Sequence, residues 1–124
     1  MLMSIPYNKY DDGTGRLANE LFCMNNEFEK CLALTDISSM AKKLSNIFNE
    51  LLEIQFSLNE EKSKMSARDV AEYQKSLDNA FKYVRILDKK LTNARKMVIN
   101  LAKNGDITSS NDSICFSHDD LLNN

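Results

Sequence analysis

Apolar residues in this chain recur every three or four positions over long stretches. Ile37, Met40, Leu44, Ile47, Leu51, Ile54 and Leu58 alternate steps of three and four. This is heptad spacing with every a and d position apolar, and it predicts a coiled-coil helix over residues 37–64. Phe48, Leu52 and Phe56 form a second stripe at i,i+4 spacing beside it. The apolar face is therefore wider than a two-stranded seam needs, which favours contact with more than one helix. Val70, Tyr73, Leu77, Ala80, Val84, Leu87, Leu91, Ala94, Val98 and Leu101 repeat the pattern without a break and predict a helix over 67–103. A shorter series, Leu17, Leu21, Met24, Phe28 and Cys31, predicts a first helix over 16–34.

Punctuation falls between these series. Pro6, Asp11-Asp12 and Gly13-Thr14-Gly15 mark residues 1–15 as a flexible lead-in. At Thr35-Asp36 the apolar stripe changes phase, and either side chain is suited to cap the next helix. Residues 59–69 are polar apart from Met65 and Ala67. Ser66 and Asp69 there resemble a capping box, which favours a break over one continuous helix. Asn104-Gly105 is a helix stop. Residues 104–124 are rich in Ser, Asp and Asn, the composition of a disordered acidic tail.

Composition supports an all-α chain of one domain at most. Only 3 Gly and 1 Pro occur in 124 residues, too few for a strand-and-turn fold. At 43% hydrophobic and 27% charged, the chain is too apolar for full disorder. The net charge of −2 conceals an uneven layout. Residues 59–103 hold 11 basic and 6 acidic side chains, whereas 1–58 hold 5 and 8 and the tail holds 4 acids alone. A basic helix can attract an acidic partner helix or an anionic membrane, although solvation of an outer face explains most such charge. Nucleic acid is not expected, because no aromatic set is interleaved for base stacking.

Cys23, Cys31 and Cys115 are an odd number without metal-site spacing. On one helix Cys23 and Cys31 would stand roughly 12 Å apart, too far to bridge. All three read as free thiols in a reducing compartment, two of them as small core residues, and the chain is expected in the cytoplasm, or peripheral on an organelle membrane through partners. No apolar run approaches the roughly 20 residues that span a bilayer. His118 is the only histidine, and no catalytic or metal set can be assembled around it. Gly13-Thr14-Gly15 lacks the strand and lysine of a phosphate loop. Asp119-Asp120-Leu121-Leu122 has Ser117 where an acidic dileucine signal needs an acid. No enzymatic activity, cofactor, metal or small-molecule substrate is expected.

A heptad seam cannot bury itself on one helix. Each large apolar side chain left in water forgoes roughly 1.5–3 kcal/mol. A hairpin of the second and third helices would leave Phe48, Leu52, Phe56, Phe81 and Ile86 beyond its seam. The expectation is that helices of other proteins complete the core, in a hetero-oligomer or a homodimer. The partner-binding seam would comprise Ile37, Met40, Leu44, Ile47, Leu51, Ile54, Leu58, Val70, Tyr73, Leu77, Val84, Leu87, Leu91, Val98 and Leu101. A self-sufficient three-helix monomer is the alternative.

Leu77, Asp78, Phe81, Val84, Arg85, Leu87, Lys90 and Leu91 are spaced as in the core of the KxDL-motif proteins, which this stretch resembles. Gln74 and Ser76 stand where that family has its namesake Lys and Asp. The resemblance implies a small coiled-coil subunit of an endolysosomal assembly of the lysosome-related organelle biogenesis or BORC type. The function expected is therefore a non-enzymatic subunit or adaptor of a hetero-oligomeric complex, in endolysosomal trafficking or positioning. A secretion-type chaperone or inhibitor that sequesters a helical client, and a kinetochore or cytoskeletal rod subunit, are the alternatives.

Overall fold

The structure, a computed structural model, describes residues 8–109 and 111–123. The protein is all-α. Helix α1 spans Thr14–Glu27, α2 Leu34–Glu61, α3 Ala67–Lys103 and α4 His118–Asn123. A π-helical turn at Lys9–Gly13 precedes α1, and a 3-10 turn at Lys62–Lys64 follows α2. Among the described residues there is no strand, only an antiparallel bridge between Leu32 and Ile114.

The limits of α3 are those its sequence predicts. The Ser66 hydroxyl accepts the Asp69 backbone N–H at 3.1 Å, which satisfies one of the free donors of the first turn. At the other end Gly105 adopts φ 77°. That left-handed residue lets Asp106 N–H reach the Leu101 carbonyl and Gly105 N–H the Ala102 carbonyl, the double closure of a Schellman motif. Residues 59–69 do contain a break: α2 stops at Glu61, and extended Met65 leads into the new cap. Helix α2 starts three residues earlier than its heptads imply. Ala33 has no side-chain oxygen, but the Asp36 carboxylate accepts the Ala33 N–H at 2.8 Å and holds the first turn.

Helix α1 ends at Glu27, not near residue 34. The N–H groups of Phe28, Glu29 and Lys30 bond back to the carbonyls of Asn25, Asn26 and Glu27, which tightens the chain into a turn. Cys31 therefore leaves the apolar stripe on which it was expected and is exposed.

The three long helices run up, down and up. Helix α2 is antiparallel to α3: Phe48 meets Phe81, and Gln55, further along α2, meets the earlier Gln74. Helix α1 is parallel to α3, since Asn8 meets Tyr73 and Asn25 meets Lys90. The seams of all three converge on one core. Ile37, Met40, Leu44, Ile47, Leu51, Leu58, Leu77, Val84, Leu87, Leu91 and Val98 are buried in it beside Leu17, Leu21, Met24 and Phe28. Ile54, Val70, Tyr73 and Leu101 are half-buried.

Four expectations are corrected here. The seam is not left open for a partner: α1, α2 and α3 cover one another's heptad positions, because α1 runs parallel to α3 and fills the face that a two-helix hairpin would expose. Residues 8–15 of the expected flexible lead-in are folded, while 1–7 lie outside the described residues. Asn8 caps the π-helical turn by accepting the Tyr10 and Asp11 N–H groups, and Tyr10 stacks on Tyr73 with ring centroids 5.2 Å apart. The segment after Asn104, expected to be disordered, returns to the bundle. Ile114 pairs with Leu32, and Phe116 and Leu121 are buried. Finally, Cys31 and Cys115 are joined by a disulfide rather than being free, and only Cys23 is a free, exposed thiol. The antiparallel bridge at Leu32–Ile114 sets their backbones side by side, which no spacing along the chain foretells. The inference of a reducing compartment drawn from three free thiols loses its basis with that bond.

Two outcomes follow from this packing. Leu51 is wholly buried between the helices, so Leu51→Ala should lower the unfolding free energy by about 2–5 kcal/mol in a urea melt. Phe56→Ala, at a position 65% exposed, should change it by no more than about 0.5 kcal/mol. The second concerns acid. Glu61 accepts hydrogen bonds from the Tyr10 hydroxyl and the Lys9 ammonium, and these two, in that order, hold its carboxyl below the ordinary 4.5. A carboxylate favoured in the folded state stabilises it above the unfolded pKa and stops doing so as pH falls through the folded one. The Lys9–Gly13 turn should therefore loosen below pH 4.5, read as lost ring-current shifts of Tyr10 and Tyr73. Glu61→Gln should remove that acid step.

Candidate functional site

With the seams closed, exposed apolar side chains remain singly at Phe22, Tyr83, Ile99 and Leu122 and in one row on α2. Phe48 is 40% exposed, Leu52 45% and Phe56 65%. Their i,i+4 spacing aligns them along the outer edge of the α2–α3 contact, on the side away from α1. Phe81 of α3 is half-buried and meets Phe48 edge-on, with ring centroids 5.9 Å apart. A cleft of about 350 Å³ continues this surface between Ala41, Ser45 and Phe48 of α2 and Val84, Arg85 and Asp88 of α3. At its other end Gln55 and Gln74 pair amide to amide, each donating to the other at 2.8 Å. The result is an apolar trough between two antiparallel helices, the shape into which a further helix packs.

The two banks of this trough differ in charge. Lys82, Arg85 and Lys89 are exposed along α3, and no ion pair among the described residues engages them. The α2 bank carries Asn49 and Glu53, both exposed. Asp78 and Asp88 are exposed on the same side of α3, Asp88 in the cleft itself, so this bank is a mildly basic ridge of three cations and two carboxylates beside the aromatic side chains.

A second surface was not anticipated. Lys90 and Asn93 lie off the heptad seam in a basic stretch, where solvation is the natural reading, yet they are only 4% and 3% exposed. The signal that could have found them is a second stripe, Ile86, Lys90, Asn93 and Met97, stepping by four, three and four. Ile86 and Met97 are half-buried, and α4 covers the polar pair between them. The Lys90 ammonium donates to the Asn25 amide oxygen at 2.7 Å, approaches His118 Nδ1 at 2.9 Å and lies over the Phe28 ring. Burial lowers its pKa below the ordinary 10.5, and the charge of Glu29 partly offsets this. Asn93 Nδ2 donates to the backbone carbonyl of Leu121.

Every residue of the predicted seam except Val70 and Leu101, which are half-buried near the ends of α3, belongs to the core or packs against it, so most of the seam joins this chain's own helices. Among the described residues no three His, Cys, Asp or Glu side chains are placed to hold a metal ion, and no helix is long and apolar enough to cross a membrane. Comparison with protein-family models, with curated proteins and with solved structures gives no match.

Proposed function

We propose that this protein is a non-enzymatic subunit or adaptor that receives an acidic amphipathic helix of another protein in the trough between α2 and α3. The observation that carries this reading is the line of Phe48, Leu52 and Phe56, which stays exposed although the heptad seams beside it are filled. Three large apolar groups in one row exceed the scattered exposure normal for a folded surface. An entering helix would bury them against Phe81 and complete a four-helix bundle. Lys82, Arg85 and Lys89 outnumber Asp78 and Asp88 on the α3 bank, three against two, so a ligand with Asp or Glu on the flank facing α3 gains attraction and steering over a basic one.

The resemblance to KxDL-motif proteins supports the same reading. Of its residues, Phe81 and Arg85 face the trough and Val84 forms part of its floor, whereas Leu77, Leu87 and Leu91 belong to the core. On that basis the host complex is an endolysosomal trafficking or positioning assembly, and the site of action is the cytoplasmic face of an organelle membrane. Membrane contact then comes through the partner.

Binding of synthetic helices tests the proposal. A three-heptad peptide with Leu at a and d and Glu on its flanks should bind the full chain at least tenfold more tightly than its Lys-flanked counterpart, by fluorescence anisotropy at low salt. The triple substitution Phe48→Ser, Leu52→Ser, Phe56→Ser should abolish binding while leaving the circular dichroism melt in place. Equal affinity for both peptides, or binding that survives the triple substitution, would rule the trough out.

A further inference from the structure

We propose that the groove between α1 and the second half of α3 is itself a binding site, for a short helix that presents a leucine one turn after an acid-bearing start. In this structure α4 is the chain's own occupant of that site, and the Cys31–Cys115 disulfide is the lock that keeps it there. This site is separate from the α2–α3 trough and does not depend on that reading.

The floor of the groove is built for a ligand rather than for a permanent core contact. Lys90 and Asn93 are buried polar side chains under a cover of only six residues. A Leu or Met at either position would pack α4 without the desolvation that a buried ammonium and amide impose. What the polar pair adds is recognition. Asn93 binds a backbone carbonyl, that of Leu121, and Lys90 meets a ring nitrogen acceptor, that of His118, three residues earlier on the same short helix. Leu121 itself is fully buried. A carbonyl acceptor, a leucine in a closed pocket and a polar acceptor one turn before it together describe the ligand. Asp119 and Asp120 give the first turn of that ligand its acidity.

The hold of α4 on this floor is weak without the lock. Six residues are too few to sustain a helix alone. Besides Phe116, Leu121 and the two polar contacts, the segment is held by the pair of backbone hydrogen bonds between Leu32 and Ile114, at 2.7 and 2.8 Å, and by the half-buried Ile107 and Ile114 side chains against the core. The disulfide lies next to that pair and joins residues separated by 84 positions. Cys31 and Cys115 are both exposed, so a reductant can reach them.

A dithiol opens the lock in two exchanges. One of its thiolates attacks Sγ of Cys115, the Sγ–Sγ bond breaks, and Cys31 leaves as a thiolate that takes up a proton. The second thiol of the reductant then displaces Cys115 from the mixed disulfide, and Cys115 is protonated in turn. Two electrons and two protons pass to the protein, and the reductant ends as a disulfide. The freed tail remains tethered to α3 and competes at an effective concentration on the order of millimolar, so an external helix enters only when it outbids that tether. In a reducing compartment the site is open to exchange, and in an oxidising one it is sealed.

The test uses the full chain and a fluorescein-labelled peptide of residues 112–124 with serine in place of Cys115. Oxidised protein should give no binding. Protein reduced with dithiothreitol should bind, and reduced Leu121→Ala should bind at least tenfold more tightly, because the substitution removes the anchor of the competing tail. Asn93→Asp in the Leu121→Ala background, which sets an acceptor against the peptide carbonyl in place of the Nδ2 donor, should lose that gain, whereas the trough substitutions at Phe48, Leu52 and Phe56 should not affect it. In the unsubstituted chain, hydrogen exchange of residues 116–122 should accelerate at least tenfold on reduction. Exchange that is unchanged by reduction overturns the lock. Absence of binding to reduced Leu121→Ala, or equal binding to oxidised and reduced protein, overturns the site.

Discussion

Everything in this fold depends on the reversal between α2 and α3. The polar stretch at residues 59–69 ends one heptad helix at Glu61 and caps the next at Ser66. That turn lays two long apolar seams against each other in antiparallel register, with Phe48 at Phe81 and Gln55 at Gln74. Two helices alone leave one face of this seam in water. Helix α1 removes it by lying along α3, with Leu17, Leu21, Met24 and Phe28 inserted between the pair. The requirement to bury a heptad stripe is thus met inside the chain, and the surfaces left for other molecules are those the three-helix core has no use for.

Those surfaces follow from the geometry of three cylinders, which meet in a core and leave three outer grooves. The α2–α3 groove retains exposed aromatics beside a basic bank. The groove between α1 and α3 has a polar floor and is covered by α4. Both sit off the heptad positions, so variation there has little effect on the core. Function placed in the grooves and stability placed in the seam can change independently, and Phe56 and Leu51, neighbours on one helix, show the division.

Most of the helical architecture is legible in the sequence because it rests on local rules. Heptad spacing announces α2 and α3, the Ser66 cap and Gly105 bound α3, and the surplus of Phe48, Leu52 and Phe56 is visible as a stripe wider than a seam requires. What the sequence hides is long-range. A heptad position states that it must be covered but not by which helix, and it is the path of α1 beside α3 that covers this seam from within the chain. The tail has the composition of a disordered segment, and what anchors it is a few scattered apolar residues, Ile107, Ile114, Phe116 and Leu121, with help from a bond to a cysteine 84 positions away. Burial of Lys90 and Asn93 depends on that same return of the chain.

The most direct measurement of the central claim is thermal unfolding of the purified chain at protein concentrations from about 1 to about 100 µM, with its mass followed by sedimentation equilibrium. A core completed within one polypeptide unfolds cooperatively as a monomer at a midpoint that does not move with concentration. A midpoint that climbs steadily with concentration, or a chain that folds only as a larger species, would show that these helices depend on others for their core.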